Sequence, residues 1–159
     1  PWWSGIFDWL LQLCKPARTQ HKGKAMFREL TPSETYAELS ENDAAVLIDC
    51  RSPAEWHFTG IPDLAAIGKN PLLVAIADEG GRPNPDFVTQ VAEAVDPKTP
   101  VYVICRVGGR SENACRMLAE AGFTTLANVI EGFEGRGNED GHRNLVEGWK
   151  FHGLPWRQS

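Results

Sequence analysis

No uninterrupted apolar stretch in these 159 residues is long enough to span a bilayer, which excludes a transmembrane helix from the sequence as given. Cysteine is sparse. The four present, Cys14, Cys50, Cys105 and Cys115, include no Cys-x-x-Cys pair and fall short of the density of a disulfide-stapled scaffold. Cys105 and Cys115 are also too widely spaced for a zinc knuckle, so no metal and no cofactor are expected. Thiols used this thinly suit a reducing, cytoplasmic compartment. Basic residues are outnumbered, 16 Lys+Arg against 21 Asp+Glu, and the net charge of -5 leaves no general positive surface for nucleic acid. Internal repeats and low-complexity tracts are missing as well.

What is there reads as a globular domain of ordinary composition with an extension in front of it. Trp3, Ile6, Phe7, Leu10, Leu13 and Cys14 recur at helical spacing, with Ser4, Asp8, Gln12 and Lys15 on the opposite face. Residues 1–25 are therefore expected to be an amphipathic helix ended by Pro16 plus a basic linker. They would touch a membrane surface or a partner, fold back on the domain, or be a remnant without function. The domain proper is expected over 26–159.

From Met26 strands and helices alternate. Thr31, Pro32, Ser33 and Glu34 form a capping box with proline in the first turn, predicting a helix over Pro32 to Leu39. The run 44–48 reads as a strand buried on both faces, and Leu72 to Ala77 as a further extended stretch. Asn84 is expected to cap a helix with Pro85 at its first position, reaching Val95. A strand at Val101 to Ile104, a helix from Ser111 to Ala121 closed by Gly122, and a strand at Ala127 to Ile130 follow. Strands alternating with helices imply an α/β fold, a central parallel sheet with helices on both faces.

The stretch Cys105-Arg106-Val107-Gly108-Gly109-Arg110-Ser111 emerges at the carboxyl end of a strand, where α/β sheets bind ligands. Gly108 and Gly109 let the backbone curl so that amides converge near a helix N-terminus. In that field, strengthened by Arg106 and Arg110, the Cys105 thiol ionises readily and becomes a nucleophile. Cys50 and Cys115, on a strand and inside a helix, read as core residues. Phosphatases of the cysteine type enclose five residues between Cys and Arg. Here Cys105 and Arg110 enclose four, a smaller ring better matched to a sulfur atom than to a phosphate.

This chain resembles the single-domain rhodaneses, a family of sulfurtransferases. Cys105 to Arg110 matches the family's Cys-Arg-x-Gly-x-Arg loop; Asp49, Arg51, Pro53, Glu55 and Trp56 match its upstream signature. Asn128, Val129, Glu131, Gly132, Phe133, Trp149 and Gly153-Leu154-Pro155 resemble its closing segment. The stretch 66–83 and the polar segment 138–147 look longer than in a minimal member.

The resemblance implies transfer of sulfane sulfur from thiosulfate or a related donor, through a persulfide on Cys105, to cyanide or a thiol acceptor. That acceptor would be a small thiol or a thioredoxin-like protein. It implies that Arg106, Val107, Gly108, Gly109, Arg110 and Ser111 bind the donor and that Asp49 and Arg51 support the loop. Other readings are a docking or sulfur-relay module without turnover and, at a further remove, a cysteine-dependent phosphatase or arsenate reductase.

Overall fold

The computed structural model describes residues 26–158. The helix and linker expected at 1–25 lie outside the described residues. The chain opens with strand β1 (Arg28–Leu30) and helix α1 (Pro32–Glu41). Thr31 Oγ1 accepts from the Glu34 amide and the Glu34 carboxylate accepts from the Thr31 amide, so two orphan donors of the first turn are satisfied. Strand β2 (Val46–Asp49) leads to helix α2 (Pro53–Thr59), where Ser52 and Glu55 repeat the same reciprocal cap. Strands β3 (Ile61–Pro62) and β4 (Leu72–Leu73), helix α3 (Phe87–Ala94), strand β5 (Val101–Ile104), helix α4 (Gly109–Glu120) and strands β6 (Leu126–Val129) and β7 (Trp156–Arg157) complete the order.

Five strands form one parallel sheet in the order β1-β6-β5-β2-β4. Central β5 is buried throughout and divides its side chains between two cores. Val101, Val103 and Cys105 face α3 and α4 through Phe87, Val91, Ala114 and Leu118. Tyr102 and Ile104 face α1 and the closing segment through Leu39, Phe133 and Trp149. This alternation is why the strand reads as an unbroken apolar run. Among the described residues, no helix is long and apolar enough to cross a membrane.

Several boundaries shift from expectation, among them β2, α1 and β6 by one or two residues, and three differences have a visible consequence. Helix α3 starts at Phe87, because the Asn84 side chain is committed elsewhere. Its Oδ1 accepts from the Asp86 amide, while Nδ2 donates to Ala75 O and Gln90 Oε1. Only Leu72–Leu73 of the expected 72–77 strand pairs as a ladder. The chain then continues along the sheet edge by single bonds, Val74 N–H to Asp49 O and Ile76 N–H to Cys50 O. Helix α4 starts two residues early, at Gly109, so Arg110 and Ser111 stand in its first turn.

The closing segment is tied down by Trp149, which is fully buried and donates Nε1–H to Pro155 O at 2.7 Å. Its ring meets Tyr36 of α1 edge-on, and β7 beyond it pairs antiparallel with β3. Trp149→Ala should cost about 3–5 kcal/mol, measured as a fall in the urea unfolding midpoint at unchanged slope.

Candidate active site

Cys105 is the first residue beyond β5 and is 1% exposed. The Gly108 amide donates to its Sγ at 3.1 Å and the Ser111 hydroxyl lies 3.2 Å away. Asp49 pairs in register with Ile104 and the Cys50 amide donates to Ile104 O, so Cys50 and Cys105 are neighbours within one core. The Cys50 thiol is the largest influence on Cys105. Burial opposes ionisation, while the Ser111 hydroxyl and the Ser111 and Val107 amides favour it, and the balance lowers Cys105 to about 5.

Burial and the neighbouring Cys105 push Cys50 far the other way, and burial raises Cys115 to about 12. Both lie in the core as expected, and none of the three described cysteines is in a disulfide. Of the three described cysteines, only Cys105 is equipped to be a thiolate at neutral pH.

The arginines were expected to strengthen the positive field at Cys105, and Arg110 and Cys105 do attract each other electrostatically. The leading favourable influences on Cys105 are hydrogen-bond donors, and neither arginine is among them. Arg110 points back at α2, where its two terminal nitrogens meet Glu55 Oε1 and Oε2 at 2.6 and 2.7 Å. Burial opposes the charge on Glu55, but the Arg110 bonds, the Ser52 amide and the charges of Arg110 and Arg51 hold it down to about 2. Arg106 is exposed and has no ion-pair partner among the described residues. It borders a cleft of about 390 Å³ with Ser52, Glu55, Asp78, Glu79 and Arg110.

Glu55 is the residue that motif reading alone left without a role. It caps α2 through the Ser52 amide, and its second partner sits 55 positions away and becomes visible only when α2 and α4 meet. One carboxylate thus starts α2 and fixes the end of the loop.

The loop and the turn after β6 interlock through two glycines. A Cβ on Gly108, at φ 99°, would stand 2.1 Å from Ile130 O; one on Gly132, at φ 68°, would stand 2.5 Å from the Arg106 carbonyl. Gly109 has open space and begins a helix, so the expectation that both loop glycines serve the curl holds for Gly108 alone. Val107 is 40% exposed at the loop's tip.

Asp49 and Arg51 form a fully buried pair, Nη2 to Oδ2 at 2.5 Å. Arg51 also donates to Thr59 Oγ1 and Gly60 O, and its guanidinium lies 4.1 Å from the centre of the Phe133 ring. The Phe133 amide in turn donates to Cys105 O at 2.8 Å. Any support of the loop is therefore indirect: the pair anchors the end of α2 and the ring whose backbone holds the cysteine carbonyl.

The family model described as STR4 middle domain matches residues 27–159. The chain belongs to the rhodanese-like family. Rv0390 from M. tuberculosis is 40% identical with a TM-score of 0.78, the match covering 82% of this chain and 97% of that one. The polysulfide-sulfur transferase homodimer from Wolinella succinogenes is 28% identical at a TM-score of 0.55, covering 86% of this chain and 82% of that one. The thiosulfate sulfurtransferase GlpE of Actinobacillus pleuropneumoniae is 29% identical over 129 residues, covering 81% of this chain and 92% of its own.

In this rhodanese-like chain the two loop glycines make a sharp contrast. Gly108→Ala should unfold the loop and abolish rapid alkylation of Cys105. Gly109→Ala should leave alkylation within about twofold and stabilise the helix by several tenths of a kcal/mol. Peptide mapping after timed iodoacetamide treatment checks both.

Proposed function

We propose that this protein is a sulfurtransferase in which Cys105 carries sulfane sulfur as a persulfide, with thiosulfate as donor and cyanide or a thiol as acceptor. The observation that carries the reading is a buried cysteine with its thiol lowered to about 5, ringed by donors from a loop and a helix N-terminus. Such a thiolate is abundant at neutral pH and aimed into a cradle that suits one further sulfur atom. Relatives described as a thiosulfate sulfurtransferase and a polysulfide-sulfur transferase support the same chemistry.

The first step balances as attack of the Cys105 thiolate on the outer sulfur of thiosulfate. The S–S bond of the donor breaks, sulfite leaves with its electron pair, and Cys105 bears the persulfide. The amides of Val107, Gly108 and Ser111 and the Ser111 hydroxyl then hold the terminal sulfur's negative charge. Cyanide attacks that sulfur in the second step and leaves as thiocyanate; a thiolate acceptor leaves as its own persulfide. In both cases the Cys105 thiolate is restored, which is a ping-pong scheme.

Arg106, at the open side of the cleft, is the residue suited to draw in a dianionic donor. Arg110 serves mainly by holding the loop end to Glu55, with its remaining surface turned to the same cleft. The other site assignments stand within the proposal: Gly108 and Ser111 contact the transferred sulfur, Val107 and Gly109 shape the rim, and Asp49 with Arg51 holds the floor.

Incubation with thiosulfate should add one sulfur atom to the intact mass, removable by cyanide and absent in Cys105→Ser. A parent protein that gains no mass with its thiol reduced would overturn thiosulfate transfer. Because Cys105 is lowered, its thiolate prevails above about pH 5 and is lost as pH falls through that value. The loading rate should therefore be level from neutral pH down to about 6 and drop about tenfold per unit below about 5. Arg106→Ala should raise the thiosulfate concentration at half-saturation about tenfold and leave the rate at saturation within about twofold, in steady-state thiocyanate formation.

A further inference from the structure

Asn128 is a polar side chain on the otherwise apolar strand β6, 2% exposed, with its amide 2.7 Å from Ser111 Oγ. Ser111 is itself fully buried, and two more groups crowd its hydroxyl, Gly108 O at 3.0 Å and Cys105 Sγ at 3.2 Å. A hydroxyl has one proton to give and two lone pairs to receive with. The carbonyl of Gly108 can only accept. The direction of every bond in this cluster is therefore set by what Cys105 and Asn128 offer.

When Cys105 is a thiol, it can donate S–H to Ser111 Oγ, and the hydroxyl proton passes on to an amide oxygen. This matches the orientation in the structure, with Asn128 Oδ1 toward Ser111. When Cys105 is a thiolate or a persulfide anion, it has no proton to give. Three acceptors would then compete for one hydroxyl proton, and two oxygens would face each other at 2.7 Å with at most that one proton between them. Turning the amide about its last torsion exchanges Oδ1 for Nδ2 in nearly the same volume. Nδ2–H then fills a lone pair of Ser111 Oγ and frees the hydroxyl proton for sulfur, the charged and therefore stronger acceptor.

We infer that Asn128 is a positioning residue of the sulfur site: its amide, turned to present Nδ2–H to Ser111, directs the Ser111 hydroxyl proton onto the anionic sulfur of Cys105. The relay runs Asn128 to Ser111 to Cys105 and requires all three in one buried line. It deepens the proposed sulfur-carrier role of Cys105 and rests on that reading for its purpose, but it concerns the sulfur anion itself and is measured without any sulfur donor.

The test is the pH titration of thiolate ultraviolet absorbance, taken as the difference between each protein and the same protein carrying Cys105→Ser. In Asn128→Leu the Cys105 midpoint should rise by about one pH unit, a tenfold loss of thiolate at fixed acidic pH. In a Ser111→Ala background Asn128→Leu should add nothing, because the relay is already cut. Should the apolar variant fail to fold by circular dichroism, Asn128→Asp replaces it, and its upward shift must be larger with Ser111 present than with Ser111→Ala. An unchanged midpoint in the single variant, or equal shifts in both backgrounds, overturns the inference. Failure of thiosulfate loading with this coupling intact would instead overturn the sulfurtransferase reading alone.

Discussion

A sulfur anion with 1% of its residue exposed has almost no water to solvate it, so the protein must supply the donors that water would. Much of what surrounds the sheet's carboxyl edge follows from this requirement. The donors come from three directions: the loop through the Gly108 amide, the first turn of α4 through Ser111, and the neighbouring strand through the Cys50 thiol. A thiol held neutral by burial and by an adjacent anion is a suitable third donor, since its own ionisation would place two charges side by side.

Donors are effective only if the loop cannot relax away from them, and the surroundings of the loop account for its rigidity. At one end the Phe133 amide holds the Cys105 carbonyl, and at the other Glu55 holds the Arg110 guanidinium. Between them the backbone runs so close to the turn after β6 that neither Gly108 nor Gly132 has room for a methyl group. Phe133 is itself covered by the Arg51 guanidinium, which the buried Asp49 neutralises. Preorganisation of this kind removes the reorganisation that a flexible loop would undergo as charge moves onto a transferred atom.

Charge is accordingly divided between two tasks. Arg110 and Arg51 are paired with carboxylates and act as rigid fasteners, whereas Arg106 stays on the surface of the cleft. The two arginines of the motif therefore have different settings, one paired and one on the cleft surface. The hairpin turn at Asp78 to Arg82, from the longer segment before α3, lines the far side of that cleft with acidic side chains and narrows what can approach.

The amino-acid order by itself determined the α/β class, the Thr31–Glu34 capping box, the buried central strand and the choice of Cys105 as the candidate nucleophile. Each of these depends on neighbours within a few positions: a cap spans three residues, a buried strand is a short apolar run, and a cysteine before a glycine loop is contiguous. The helix start at Phe87 was displaced because the Asn84 side chain, which looks like a cap, is used elsewhere, and only the packed chain shows where. What tertiary structure alone decided were the pairings across the sheet: Cys50 beside Cys105, Glu55 on Arg110, Asn128 on Ser111 and Gly132 against Arg106. These partners stand 17 to 55 positions apart in the cases joined by side-chain hydrogen bonds. Hydrogen-bond direction and steric contact act over a few ångströms, and no local pattern in the chain records which distant residues the fold will bring within that range.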